Sequence, residues 1–144
     1  MSEAETHRTA SAAATEELAG AFARGLDPGS VVLVSGDLGA GKTTFVRGAA
    51  RALGVTEPVT SPTFTIGQTY AGEVPVSHLD LYRLAGGLGV EEPGLLDDYL
   101  TPDAIAFIEW PEVAAAELDG VTARVAIAHG GGDEREITVE KLSA

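Results

Sequence analysis

GDLGAGKTTF, residues 36–45, decides how the rest of the chain is read. Gly36 to Thr43 satisfies GxxxxGK[ST] at every fixed position, and one of the only two lysines in the sequence falls inside it. The pattern has a physical cause. Phosphate oxygens must be met by several backbone N–H groups at once, and Gly39 and Gly41 permit backbone conformations that a side chain would block. A helix starting directly behind the loop adds its positive dipole end. Lys42 is then placed to reach the β- and γ-phosphates. Thr43 offers its hydroxyl to Mg2+, a hard cation that takes oxygen ligands and keeps several waters. The predicted nucleotide-phosphate site comprises Gly36, Leu38, Gly39, Ala40, Gly41, Lys42, Thr43 and Thr44.

The flanks supply the context such a loop needs. SVVLVSG, residues 30–36, is a continuous apolar run that suits a strand buried on both faces of a sheet. From Lys42 the period turns helical, with Phe45, Val46, Ala49, Ala50 and Leu53 on one face, Arg47 and Arg51 on the other, and Gly54 as C-cap. Upstream, residues 12–25 place Leu18, Ala21 and Phe22 at helical spacing, with Ser11 as N-cap and Gly25 as stop.

Downstream, residues 55–70 read as a loop entering a strand at about Phe64 to Tyr70, and VPVSHLDLYRL (74–84) as a second strand after a turn at Ala71 and Gly72. EEPGLLDDYL (91–100) predicts a short helix and AIAFIEW (104–110) a buried strand. VTARVAIA and REITVEKL predict a closing hairpin turned at residues 130–133. The expected fold class is α/β: a single P-loop NTPase-like domain over residues 1–144, a mixed sheet with helices on both faces, and a C-terminal hairpin. Residues 1–8 are expected to be a disordered tail. The sequence has no internal repeat and no interdomain linker.

Composition bounds the function. The 144 residues fit one compact domain. No apolar run approaches the roughly 20 residues of a membrane helix, so no membrane association is expected. The N-terminus lacks the basic start and apolar core of a secretion signal, and the chain has no cysteine, which predicts a cytoplasmic protein without disulfides or thiolate metal sites. A net charge of −13 opposes gripping a phosphate backbone. The acids are concentrated late: residues 84–144 hold 13 acids and 3 bases, residues 1–83 hold 9 acids and 6 bases. That surface is either a solvated face or a docking face for a basic partner.

A Gly-rich loop alone hydrolyses nothing, because the metal needs a second anionic anchor and the attacking water needs orienting. Two acids end apolar strands where a parallel sheet would deliver them to the loop. Glu109 ends AIAFIE and Asp80 ends VSHLD. Glu109 is assigned to Mg2+, through water, and Asp80 to the γ-phosphate side as a metal or water-orienting group; the pattern equally admits the exchange of these roles. TSPTFT, residues 60–65, is a candidate γ-phosphate-sensing segment, stiffened by Pro62 and carrying hydroxyls at 60, 61, 63 and 65. His78 and His129 have no second ligand at metal spacing and are read as structural.

GDLGAGKTTFVRG, SPTFT, HLDLYRL and IEWPE, in this order and spacing, closely resemble the TsaE family, bacterial ATPases of the tRNA threonylcarbamoyladenosine pathway. The resemblance spans roughly residues 9–140. It implies an α/β domain that binds ATP and Mg2+ and hydrolyses ATP slowly. Hydrolysis would be stimulated on docking to the TsaD and TsaB subunits, which carry out the transfer to adenosine 37 of tRNAs reading ANN codons; tRNA is met only through those partners. Lys42 and Thr43 match the family's Walker A lysine and metal-ligand threonine, residues 60–65 its switch-I-like loop, and Asp80 and Glu109 its two acidic positions. Trp110 matches its tryptophan, expected to pack beside the nucleotide. The family's further nucleotide contacts, near the first helix and in the C-terminal hairpin, point to Ser11 and Arg135. Residues 85–94 depart from the family, with glycines where it often has an acidic helical turn.

Three rival functions use the same residues. A GTPase would read guanine with NKxD, and the chain contains no asparagine. A small-molecule kinase needs an Arg-rich lid to stabilise transition-state charge. Beyond Arg83 the bases are Arg124, Arg135 and Lys141 alone. A module that binds ATP without turnover is the non-enzymatic alternative.

Overall fold

The computed structural model describes residues 2–36, 41–60, 67–80, 99–109 and 121–142. Seven strands and two helices follow one another as β1 (Ser2–Thr9), α1 (Ala12–Ala23), β2 (Val31–Gly36), α2 (Lys42–Ala52), β3 (Gly67–Tyr70), β4 (Val76–Asp80), β5 (Ile105–Glu109), β6 (Ala123–Gly131) and β7 (Glu134–Leu142). They form one seven-stranded mixed sheet in the order β1-β7-β6-β2-β5-β4-β3. The strands β4, β5, β2 and β6 run parallel, while β3, β7 and β1 each pair antiparallel with their neighbours. The predicted hairpin is β6–β7, turned through Gly132, whose φ of +56° is the left-handed geometry a tight turn needs.

The expectation for residues 1–8 is corrected over residues 2–8. Instead of a disordered tail, Ser2–Thr9 forms an edge strand in register with β7 from Ser2↔Leu142 to Thr9↔Arg135. Its ladder is reinforced by Thr6–Thr138 at 3.1 Å and Arg8–Glu136 at 3.4 Å.

The start of α1 and the end of α2 follow their local sequence signals, while α1 stops at Ala23 before Gly25. The Ser11 hydroxyl accepts from the Ala14 amide at 3.1 Å, capping α1. At the end of α2 the amide of Val55 reaches Ala50 O and that of Gly54 reaches Arg51 O, with Gly54 at φ +91°. This is the paired closure a left-handed glycine makes possible.

The helices pack against each other over one sheet face. Val32, Val34, Phe107 and Ile127 meet Phe45, Val46, Ala49 and Ala50, and Phe22 lies against Phe45 with ring centroids 5.9 Å apart. The approach is close because Gly20 and Gly48 face the opposite helix; a Cβ on Gly48 would sit 2.3 Å from Glu16 O. Leu33, Ile108 and Leu79, which point to the other face, are also buried. The expected helix over residues 91–100 lies, but for its last two residues, outside the described residues, so among these both helices stand on one side. No helix among the described residues is long and apolar enough to cross a membrane.

The N-terminal rim of the parallel strands is stitched across. Gly29 N–H donates to Ala104 O at 2.8 Å, Ala106 N–H to Ser30 O at 2.9 Å and Ile105 N–H to Pro75 O at 3.0 Å. Thr122 closes the row, its amide donating to Val31 O at 2.8 Å while its hydroxyl accepts from the Val31 amide at 3.0 Å.

Candidate functional site

Strand direction gathers the functional side chains on the opposite rim. Parallel β2, β5 and β4 end at Gly36, Glu109 and Asp80, and the register pairs Asp80 with Glu109 and Val34 with Glu109. Residues paired across parallel strands share a face, so both carboxylates lie on the side that carries α2. Arg135 opens β7 at this rim, and Thr9, paired with Arg135, brings Ser11 there too.

Gly36 cannot be replaced by a larger residue without displacing a strand. Its φ is +151°, and a Cβ would fall 2.4 Å from Ile127 O on neighbouring β6. Gly41, at φ +104°, stands at the N-cap of α2 without a side-chain cap. The first-turn amides of this 11-residue helix are therefore not capped by a side chain there, which is the arrangement that receives an anion. Lys42 Nζ donates to Gly36 O at 3.0 Å. A Cβ on Gly41 would lie 3.9 Å from Arg135 Nε, so a second cation stands beside the loop.

Behind the loop is a hydroxyl–carboxylate–imidazole chain. Thr43 Oγ1 donates to Glu109 Oε2 at 3.1 Å, and His78 Nε2 bonds the same oxygen. Glu109 is 4% exposed and His78 fully buried. Asp80 is half-buried at the end of β4.

Among the described residues no group of three or more His, Cys, Asp or Glu side chains is placed to hold a metal. A divalent ion here would depend on hydroxyl, water and phosphate oxygens with one or two carboxylates, and the Thr43–Glu109 pair supplies the protein's hard oxygen donors for that pattern. The donor set fits Mg2+.

The candidate residues are distributed as follows. Thr43 and Glu109 touch, Lys42 touches Gly36, Arg135 neighbours Gly41, and Asp80 flanks Glu109 in register. Thr44 lies half-buried in the first turn of α2. Ser11 reaches the rim with its hydroxyl engaged in capping α1. Leu38, Gly39, Ala40, Trp110 and residues 61–65 of the switch-I-like segment lie outside the described residues.

His129 is exposed, whereas His78 is at the centre of the site. Among the described residues His78 joins no metal-binding group; what ligand spacing did not address is its bond to Glu109. The usable signal was period two in VSHLD, which puts His78 on the same face as Asp80.

A family model described as "Threonylcarbamoyl adenosine biosynthesis protein TsaE" matches residues 9–137. The tRNA threonylcarbamoyladenosine biosynthesis protein TsaE of Bacillus subtilis (strain 168) is 42% identical over 126 residues, covering 87% of this chain and 76% of that protein. The protein of the same name from Streptomyces coelicolor is 41% identical over 133 residues, covering 88% and 89%. The crystal structure of Bacillus subtilis YdiB superposes with a TM-score of 0.81 at 35% identity, covering 99% of this chain and 88% of that one.

Proposed function

The chain belongs to the TsaE family, and from that membership and the geometry of the rim we infer that it binds ATP with Mg2+ and hydrolyses it slowly. This turnover supports threonylcarbamoylation of adenosine 37 in tRNAs reading ANN codons, which a TsaD–TsaB pair carries out. The observation that carries the reading is the 3.1 Å hydrogen bond from Thr43 to Glu109. It ties the hydroxyl that follows the loop lysine to a strand-end carboxylate, the pair that metal-assisted phosphoryl transfer requires of its protein.

Each residue has a distinct task. The N–H groups of the loop and the first turn of α2 receive phosphate oxygens, and Gly36 and Gly41 leave room for backbone to approach them. Lys42 shifts its ammonium from Gly36 O to the β- and γ-phosphates. Arg135 adds positive charge from the far side of Gly41. Thr43 keeps its O–H donated to Glu109, which fixes the hydroxyl's orientation and leaves its oxygen as the donor atom for the metal. Mg2+, when bound, neutralises phosphate charge and orders the phosphate oxygens. Asp80, more exposed than Glu109, orients the attacking water. The protein is not the transferase.

Phosphate release by the purified chain, alone and with TsaD, TsaB and tRNA, tests the reading. Slow release that rises on adding the partners is expected. Bound ATP with no release under either condition would make the chain a binding module, and radiolabelled phosphate appearing on a small acceptor would make it a kinase.

A further inference from the structure

His78 stands where packing alone would place an apolar side chain. It lies on the interior strand β4, sharing a face with Val76 and Asp80, opposite Phe107, and is fully buried. An imidazole in such a place costs desolvation free energy unless its polar atoms are used. Nε2 is used, on Glu109 Oε2, while among the described residues Nδ1 has no hydrogen-bond partner. An ionised carboxylate can only accept, so toward it Nε2 is the donor. The ring is thus matched to one partner.

The geometry points to His78 as a positioning residue for Glu109, holding that carboxylate in the orientation that serves Thr43 and a metal-bound water. Both described bonds fall on Oε2, the Thr43 hydroxyl from α2 and the imidazole from β4. The carboxylate is therefore pinned between two elements, and Oε1 receives neither bond. Without the imidazole, one of the two described donors remains on a nearly buried carboxylate, which is then freer to rotate about its terminal torsion. Donors behind a metal-binding carboxylate orient it and set metal affinity, and their loss typically costs about 10- to 100-fold. This inference rests on the Mg2+–nucleotide reading of the site.

The test separates reach from shape. In His78→Gln the side-chain amide N–H extends to the position of Nε2; in His78→Asn it stops short; in His78→Leu it is absent. The full-length chain and these variants are titrated with a fluorescent ATP analogue in EDTA and at increasing Mg2+, with Glu109→Gln in parallel. His78→Leu and His78→Asn are expected to bind the analogue in EDTA as the wild type does, yet to need about tenfold more Mg2+ for half-maximal enhancement of binding. His78→Gln is expected to stay near the wild type. If His78→Leu does not fold, the Asn and Gln variants carry the same comparison, because both are polar amides and differ in reach. Wild-type Mg2+ dependence in His78→Asn or a folded His78→Leu overturns the assignment, and so does an equal loss in His78→Gln and His78→Asn. Absence of any Mg2+-dependent binding in the wild type would instead bring down the nucleotide reading and this inference with it.

Discussion

Lys42 spends its charge on a single carbonyl at the rim and no part of it fills the core. Lys42→Ala should therefore cut phosphate release by about 100-fold or more, the scale of removing a donor to developing charge. Its thermal unfolding should stay close to wild type, since changes away from the core seldom exceed about 0.5 kcal/mol. Unchanged release from the purified variant would remove Lys42 from the site. The two carboxylates should fail differently. Glu109→Ala strips the partner from the half-buried Thr43 hydroxyl and the buried His78 imidazole and should raise the Mg2+ requirement about 10- to 100-fold. Asp80→Ala, at a half-exposed position, should slow turnover by roughly 100-fold while ATP remains bound. Hydrolysis like wild type by both across a Mg2+ titration would exclude both. Lys42 and Thr43 were legible as candidates from the motif, and the two acids as candidates from the ends of apolar runs, because each is a local pattern. The link between His78 and Glu109 was not, because it depends on how β4 and β5 are registered 31 residues apart.

At the level of elements, the α1–α2 contact sets two opposed effects against each other. Helix propensity alone favours Gly48→Ala by up to about 1 kcal/mol. The added Cβ, however, would stand 2.3 Å from Glu16 O, a backbone atom that cannot rotate away. Overpacking of that kind costs about 1–3 kcal/mol, so the substitution should destabilise the protein in urea titration. Gly20→Ala is the matched comparison, because its Cβ would meet only Ala52 Cβ at 3.3 Å and Gly48 O at 3.6 Å. It should be much milder, and equal midpoints for the two would show that the helices separate freely. Most element boundaries were readable from the sequence: the Ser11 cap, the Gly54 stop and the apolar runs of β2 and β5 are local signals. SEAETHRT was not readable as β1, since it holds no apolar alternation, and an edge strand is held mainly by its ladder to β7. The helix expected over residues 91–100 falls, but for its end, outside the described residues.

For the molecule as a whole, the charge of −13 should keep the isolated chain off tRNA. Anisotropy titration at physiological salt is expected to give no binding tighter than about 10−4 to 10−6 M, the range of non-specific contacts. A tighter, salt-sensitive affinity would mean that the protein meets tRNA directly and not through partners. The two rims of the sheet also differ in kind. One carries Gly36, Asp80, Glu109 and Arg135, and the other is the stitched row of Gly29, Ser30, Pro75, Ala104 and Thr122. Asp27 and Pro102 are exposed beside that stitched row, and the chain has no cysteine of its own. A single thiol introduced as Asp27→Cys would therefore be a unique anchor, coupling the protein to a sensor surface with the rim of Gly36 and Glu109 turned to the solution. Chips made this way should capture the fluorescent ATP analogue at nearly full occupancy, whereas coupling through a thiol introduced as His129→Cys, near the loop rim, should not.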